Sequence, residues 1–143
     1  MKAFDSIILL DYEERIKKDL ENRRIDDKKA IEILCRHLAG TQIALNFEQI
    51  YSTIWGSQIN LLKYLNSRVP TGDTADNLKV IFYETAAIIH PLIYAGYPFE
   101  NYLYFLRSRT LIMEENGIYN ITNLGRDFLV YMMQTGKSEA RPY

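Results

Sequence analysis

Three side chains in this sequence have the chemistry of metal ligands or proton carriers: Cys35, His37 and His90. Cys35 and His37 stand two positions apart in a helical pattern, so they point to different sides of the helix. One cysteine and two histidines also fall short of the four ligands a structural zinc site takes. No metal site is expected. His90 precedes Pro91, and no carboxylate or nucleophile lies near it in sequence. General acid–base work needs a partner that orients the imidazole, so a structural histidine is the expectation. The seven glycines form neither G-x-G-x-x-G nor a phosphate-binding loop. No cofactor and no enzymatic activity are expected. The run from Lys17 to Lys29 mixes both signs of charge and reads as a solvated surface.

The elements that must carry these residues follow from composition and periodicity. A chain of 143 residues, 48% hydrophobic and 24% charged, suits an ordinary globular protein of about one domain. Aromatics reach 13%, with 11 Tyr and 6 Phe. Buried tyrosine hydroxyls need partners, so half-buried tyrosine is expected, with some at a contact surface. The net charge of −1 argues mildly against a dedicated nucleic-acid binder. A single cysteine excludes an internal disulfide and suits a reducing compartment. The apolar run Ile7 to Leu10 is too short for a signal peptide, and no segment has the length of a membrane span. A cytoplasmic protein is expected.

Helices are expected over 6–22, capped by Ser6, and over 26–39, opened by Asp26 and Asp27 and closed by Gly40. A third is expected from Asn46 to Trp55, with Asn46 as cap, and a fourth from Gln58 to Ser67, capped by Ser57. Pro70 to Thr74 is a loop with Thr74 or Asp73 as the next cap, and 75–90 reads as one largely buried helix. Pro91, Gly96 and Pro98 punctuate a loop. The helix over 98–109 is amphipathic: Phe99, Tyr102, Leu103 and Leu106 share one face, and Glu100, Asn101, Tyr104, Arg107 and Ser108 share the other. Leu111-Ile112-Met113 is a short strand. Asn116-Gly117 signals a type I′ hairpin turn, and Ile118 to Ile121 is the return strand. Thr122 caps a last helix that turns Leu124, Phe128, Leu129 and Met132 inward. Residues 135–143 read as a flexible tail. The fold class is mostly α with a small β-hairpin.

The stretch Gln58-Ile59-Asn60-Leu61-Leu62-Lys63-Tyr64-Leu65, the helices at 75–90 and 98–109, and the ending Leu111-Ile112, Asn116-Gly117, Tyr119-Asn120-Ile121-Thr122-Asn123-Leu124-Gly125 together resemble the winged helix-turn-helix superfamily in its MarR-like and PadR-like bacterial forms. The resemblance covers residues 56–134. It implies a winged-helix domain there, with residues 1–55 a helical extension that serves as a dimerisation region. It also implies a protein of the transcription-regulator type, a homodimer that binds double-stranded DNA through its third helix and wing. Carried over, the base-contacting residues are Asn101, Tyr104, Arg107 and Ser108, and the wing tip is Glu114, Glu115, Asn116 and Gly117. From Pro98 to Gln134 the bases Arg107, Arg109 and Arg126 face the acids Glu100, Glu114, Glu115 and Asp127. That balance lacks a counterion-releasing basic surface. A second reading therefore stands beside the first: a winged-helix protein–protein interaction module that uses Tyr102 and Tyr104 as anchors. Trp55 is expected between the N-terminal helices and the wing domain.

Overall fold

Ser6 and Asp26 open the first two helices. The computed structural model describes residues 6–143. The Ser6 hydroxyl accepts from the Leu9 amide at 3.1 Å and starts α1 (Ile7–Asn22). Asp26 Oδ1 accepts from the Lys29 amide at 2.9 Å and starts α2 (Asp27–Thr53). Here the expected pattern changes. Gly40 does not close a helix, and Asn46 does not cap another: α2 runs through both. A glycine ends a helix by adopting a left-handed conformation, and Gly40 is not among the glycines with positive φ.

The chain divides into two compact units, one up to Leu45 and one over Asn46–Tyr143. In the first unit the helices carry the exposed ion pairs Glu14–Lys18, Asp19–Arg23 and Lys29–Glu32. No described residue of this unit is buried; Leu9, Leu20, Ile25, Ala30 and Ile33 are half-buried.

The second unit holds the core. Phe47, Ile50 and Ile54 bring the end of α2 into it, joined by Ile59, Leu62 and Leu65 of α3 (Gly56–Ser67). The start of α3 is fastened by Gln58, whose Oε1 accepts from the Trp55 amide at 2.9 Å. Ser57, expected as the cap, lies inside the first turn, and its hydroxyl points into the core. After α3 comes the short strand β1 (Asp73–Thr74), which the sequence reading took for loop. It pairs antiparallel with the return strand of the hairpin, Asp73 opposite Tyr119 and Thr74 opposite Ile118. The hairpin therefore becomes a three-stranded sheet in which its return strand, Ile118–Ile121, lies between β1 and its first strand, Ile112–Glu115.

Asp73 locks this corner. Its carboxylate accepts from the Tyr64 hydroxyl, from Asn77 Nδ2 at 2.8 Å and from the Thr74 amide at 2.7 Å, so α3, β1 and the next helix meet at one buried charge. Thr74 then caps α4 (Ala75–Leu78). A π-helical turn (Lys79–Glu84) follows, then α5 (Thr85–Ile89). This stretch is helical as expected but not largely buried. Leu78 and Ala86 are buried, while Val80, Ile81, Ile88 and Ile89 are exposed. Its apolar residues lie on all sides, and only one side has the core to face. The expected loop after Pro91 contains a further short helix, α6 (Pro91–Ala95).

Next come α7 (Phe99–Ser108), β2 (Ile112–Glu115), β3 (Ile118–Ile121) and α8 (Asn123–Gln134). Asn116 and Gly117 have φ of 53° and 79°, and Glu115 pairs with Ile118 across them, as a type I′ turn requires. The Thr122 hydroxyl accepts from the Gly125 amide at 2.9 Å and caps α8. Phe128 and Met132 are buried, and Leu124 and Leu129 are half-buried. Residues 137–143 do not hang free, as a flexible tail would. Lys137 pairs with Glu48 at 2.8 Å, Lys63 with Glu139 at 2.6 Å, and the Tyr51 hydroxyl donates to the Ser138 carbonyl at 3.0 Å. The carbonyls of Pro142 and Tyr143 then accept from the Gly56 and Ser57 amides at 3.2 and 3.1 Å. Those amides open α3 and have no partner within the helix, which gives an otherwise polar segment somewhere to bind.

Candidate functional site on helix α7 and the β2–β3 hairpin

Helix α7 is held by one face. Phe99, Tyr102, Leu103 and Leu106 are buried, as the spacing predicts. The same 3.6-residue period turns Asn101, Tyr104, Arg107 and Ser108 outward, and all four are exposed. Their free capacity differs. Ser108 spends its hydroxyl proton on the Phe105 carbonyl at 2.9 Å. The Asn101 backbone carbonyl accepts from the Tyr97 hydroxyl at 3.0 Å, and its side-chain amide makes no hydrogen bond within the described chain. Arg107 enters no salt bridge among the described residues. Tyr104 is 68% exposed. Beside this face runs a shallow groove of about 390 Å³, lined in part by Asp76, Lys79, Glu100, Tyr104, Arg107 and Tyr119. Neither Lys79 nor Tyr119 is among the site residues expected from sequence. Only the return of β3 beside β1, and the turn of the chain after Thr74, bring them to the same groove.

The hairpin tip also differs from a simple acidic loop. Glu114 Oε1 accepts from the Gly117 amide at 2.7 Å, so this carboxylate closes the turn. Glu115 makes no such bond and stands exposed at the end of β2. Of the two charges expected at the tip, one is part of the turn and the other is free to meet a partner.

Behind α7 lies a buried polar network. The hydroxyls of Ser57 and Tyr94 meet at 2.6 Å, Tyr102 donates to Ser57 Oγ at 3.0 Å, and Tyr94 donates to the Tyr143 carbonyl at 2.9 Å. Gln58 Nε2 donates to the Tyr102 carbonyl at 3.0 Å. Burial raises the Tyr94 and Tyr102 hydroxyls above the ordinary tyrosine range, so both stay protonated donors. Among the described residues no acidic side chain and no histidine joins the network, and its chemistry is that of a joint between α3, α6 and α7. Trp55 belongs to the same cluster: its ring lies 4.9 Å from that of Tyr94, 4.7 Å from Tyr97 and 5.6 Å from Tyr143. It packs within the second unit, against residues far along the chain. Five of the eleven tyrosines, Tyr83, Tyr94, Tyr97, Tyr102 and Tyr143, belong to this one aromatic cluster.

Cys35 and His37 are exposed on α2. His90 sits between α5 and α6, its ring 5.3 Å from that of Tyr143. Among the described residues no group of three His, Cys, Asp or Glu could hold a metal ion, and no helix is long and apolar enough to cross a membrane.

Comparison of the chain with protein families, curated proteins and solved structures gives no match. The class that fold and geometry define is therefore a coarse one: a mostly helical protein with a small three-stranded antiparallel sheet.

Proposed function

We propose that residues 56–134 form a winged helix-turn-helix domain of the transcription-regulator type. In this reading α7 enters the major groove of double-stranded DNA, and the β2–β3 hairpin is the wing. One observation carries it. The face of α7 that bears Asn101, Tyr104, Arg107 and Ser108 is the exposed face of a helix whose other side is locked in the core, directly ahead of a tight hairpin. Asn and Arg have the donor and acceptor geometry for base edges. The pairing of β1 with β3 adds support, because it ties the hairpin to the helices in front of it. The protein acts by binding and not by catalysis, in the cytoplasm.

We also propose that the first unit joins two copies. Ile31, Leu38 and Leu45 recur every seven residues along α2, with Leu34 between them, and all are exposed. Between α1 and α2 lies a groove of about 440 Å³ whose apolar lining is Ile16, Leu20, Ile25, Ile33 and Leu34, with Arg15, Asp19, Arg23 and His37 also lining it. Over residues 6–45 these helices bury no side chain, and such a pair cannot support itself. Two such hairpins make a four-helix bundle that buries both apolar stripes.

DNA titration against salt, on random duplex, tests the first proposal. Arg107→Ala should weaken binding by about 1–3 kcal/mol, and Glu115→Lys should tighten it and steepen the salt dependence. If the wild type and Glu115→Lys both fail to bind duplex at low salt, the DNA reading is wrong. The second reading, a protein contact on the same face, is favoured by one observation: Glu100 and Glu115 flank it, while Tyr104 stands out as an aromatic anchor.

A further inference from the structure

Residues 137–143 are held differently from the rest of the second unit. None of the seven is buried, and none adds a side chain to the core, which ends at Met132. The ring of Tyr143 lies against Trp55 and His90 but stays exposed. What fastens the segment is polar. Lys137 pairs with Glu48, Glu139 pairs with Lys63, and the Arg141 guanidinium stands 4.5 Å over the Tyr51 ring. Exposed ion pairs are weak and are screened by salt. A segment with exposed bonds and little buried apolar surface opens at low cost while the core stays folded.

The end of the segment also terminates the buried network behind α7. The Tyr143 carbonyl accepts twice, from the Ser57 amide at 3.1 Å and from the Tyr94 hydroxyl at 2.9 Å. A hydroxyl has one proton to give. Tyr94 gives its proton to Tyr143, so Ser57 is the donor in their 2.6 Å contact, and Tyr102 donates to Ser57 at 3.0 Å. The chain runs one way, from Tyr102 of α7 through Ser57 and Tyr94 to an acceptor on the segment. Without that carbonyl, the Tyr94 proton and the amides of Gly56 and Ser57 lose their partners together, and a half-satisfied buried network is costly. The segment has one further constraint. A Cβ at Gly56 would stand 2.6 Å from the Arg141 carbonyl oxygen, and the three nearest atoms it would meet all belong to the Arg141 backbone. The closest obstacle to a side chain at position 56 is the segment itself.

We propose that residues 137–143 are a latch: they open as a unit while the core stays folded, and their opening loosens the seat of α7 through the hydroxyl chain. The latch thereby sets how firmly Asn101, Tyr104, Arg107 and Ser108 are presented. It does not depend on what that face binds, so it stands or falls apart from the DNA reading.

Gly56→Ala in the full chain tests it, because the added methyl group pushes first on the latch. Trypsin cleavage after Lys137 reads the open form, with a free peptide of residues 133–143 as the reference for the protease itself. Cleavage should be on the order of 10-fold faster in Gly56→Ala than in the wild type, since it follows the population of the open form. In the wild type it should also quicken between about 0.1 M and 1 M NaCl, as the screening length falls from about 10 to 3 Å. Hydrogen exchange of the α7 amides should quicken in Gly56→Ala, while the amides of α8 keep their wild-type protection. Tyr94→Phe removes the link without touching Gly56, and it should quicken α7 exchange as well. Equal cleavage of Gly56→Ala and the wild type overturns the latch, as does wild-type cleavage that ignores salt. Faster cleavage with unchanged α7 exchange overturns the coupling. Protection lost from α8 as much as from α7 overturns both, for then the segment is an inseparable part of the core.

Discussion

Asp73 is 7% exposed and carries a charge, so its environment decides whether the corner of α3, β1 and α4 holds. Burial works against the charge. The hydrogen bonds from Tyr64, Asn77 and the Thr74 amide, with Arg68 nearby, outweigh it and hold the carboxyl below its ordinary range. The sign follows. A carboxyl with a depressed folded pKa contributes stability that is present above the unfolded value, about 4, and is lost as pH falls through the folded one. Asp73→Asn keeps the size but loses the charge, and should cost about 1.5–3 kcal/mol at neutral pH. Urea unfolding of both proteins from pH 7 down to pH 3 should show the gap narrowing in acid; a gap that stays constant would remove the charge from the account. Tyr104 is the opposite case. It is 68% exposed and lies outside the core, so Tyr104→Ala should leave the unfolding midpoint unchanged. A loss above about 1 kcal/mol of DNA or partner affinity would mark it as an anchor.

At the scale of elements, two glycines decide whether hairpin and last helix form as they do. Gly117 has φ of 79°, with open space where a Cβ would stand. The cost of Gly117→Val is therefore conformational, roughly 1–2 kcal/mol, because a β-branched residue resists the left-handed region. Gly125 is under a different constraint. A Cβ there would lie 2.3 Å from the Leu111 carbonyl oxygen and 2.7 Å from Ile121 Cγ1. The start of α8 can approach the sheet only with hydrogen at this position, and Gly125→Ala should cost more than Gly117→Val. Thermal unfolding of the two variants side by side ranks them, and the reverse order would show that α8 relaxes away easily. Helix α2 shows how far local signals reach. Gly40 and Asn46 both have the chemistry of helix ends, and neither ends the helix. On either side of each stand good helix formers, and one glycine costs only about 1 kcal/mol within a helix.

The whole molecule is two units with opposite problems. The second has a core that runs from Phe47 to Met132 and closes it with residues 137–143. The first has amphipathic helices and buries none of its described residues. Leu38→Glu, an exposed position on the α2 stripe, should lower the sedimenting mass and the helical circular dichroism together if a second copy covers that stripe. A loss of neither would leave the first unit a solvated hairpin.

The sequence by itself determined what depends on neighbours within a few positions. Ser6, Thr74 and Thr122 cap the helices they precede. Asn116-Gly117 turns the hairpin, and the period of α7 separates its buried face from the face with Asn101, Tyr104, Arg107 and Ser108. A cap, a two-residue turn and a 3.6-residue stripe are local geometry, and local geometry is written in order along the chain. Tertiary structure alone decided the rest. The two residues of β1 are too short to show a period, and only β3 lying alongside makes them a strand. Ser57 has a cap's chemistry but serves the core, because Tyr94 and Tyr102 arrive from far along the chain to bond it. Residues 137–143 look like a loose end until the free amides at the start of α3 stand beside them. The apolar residues of 75–90 read as largely buried, yet a helix has more sides than one core can cover. Which of them stay in water was settled only when the other elements took their places.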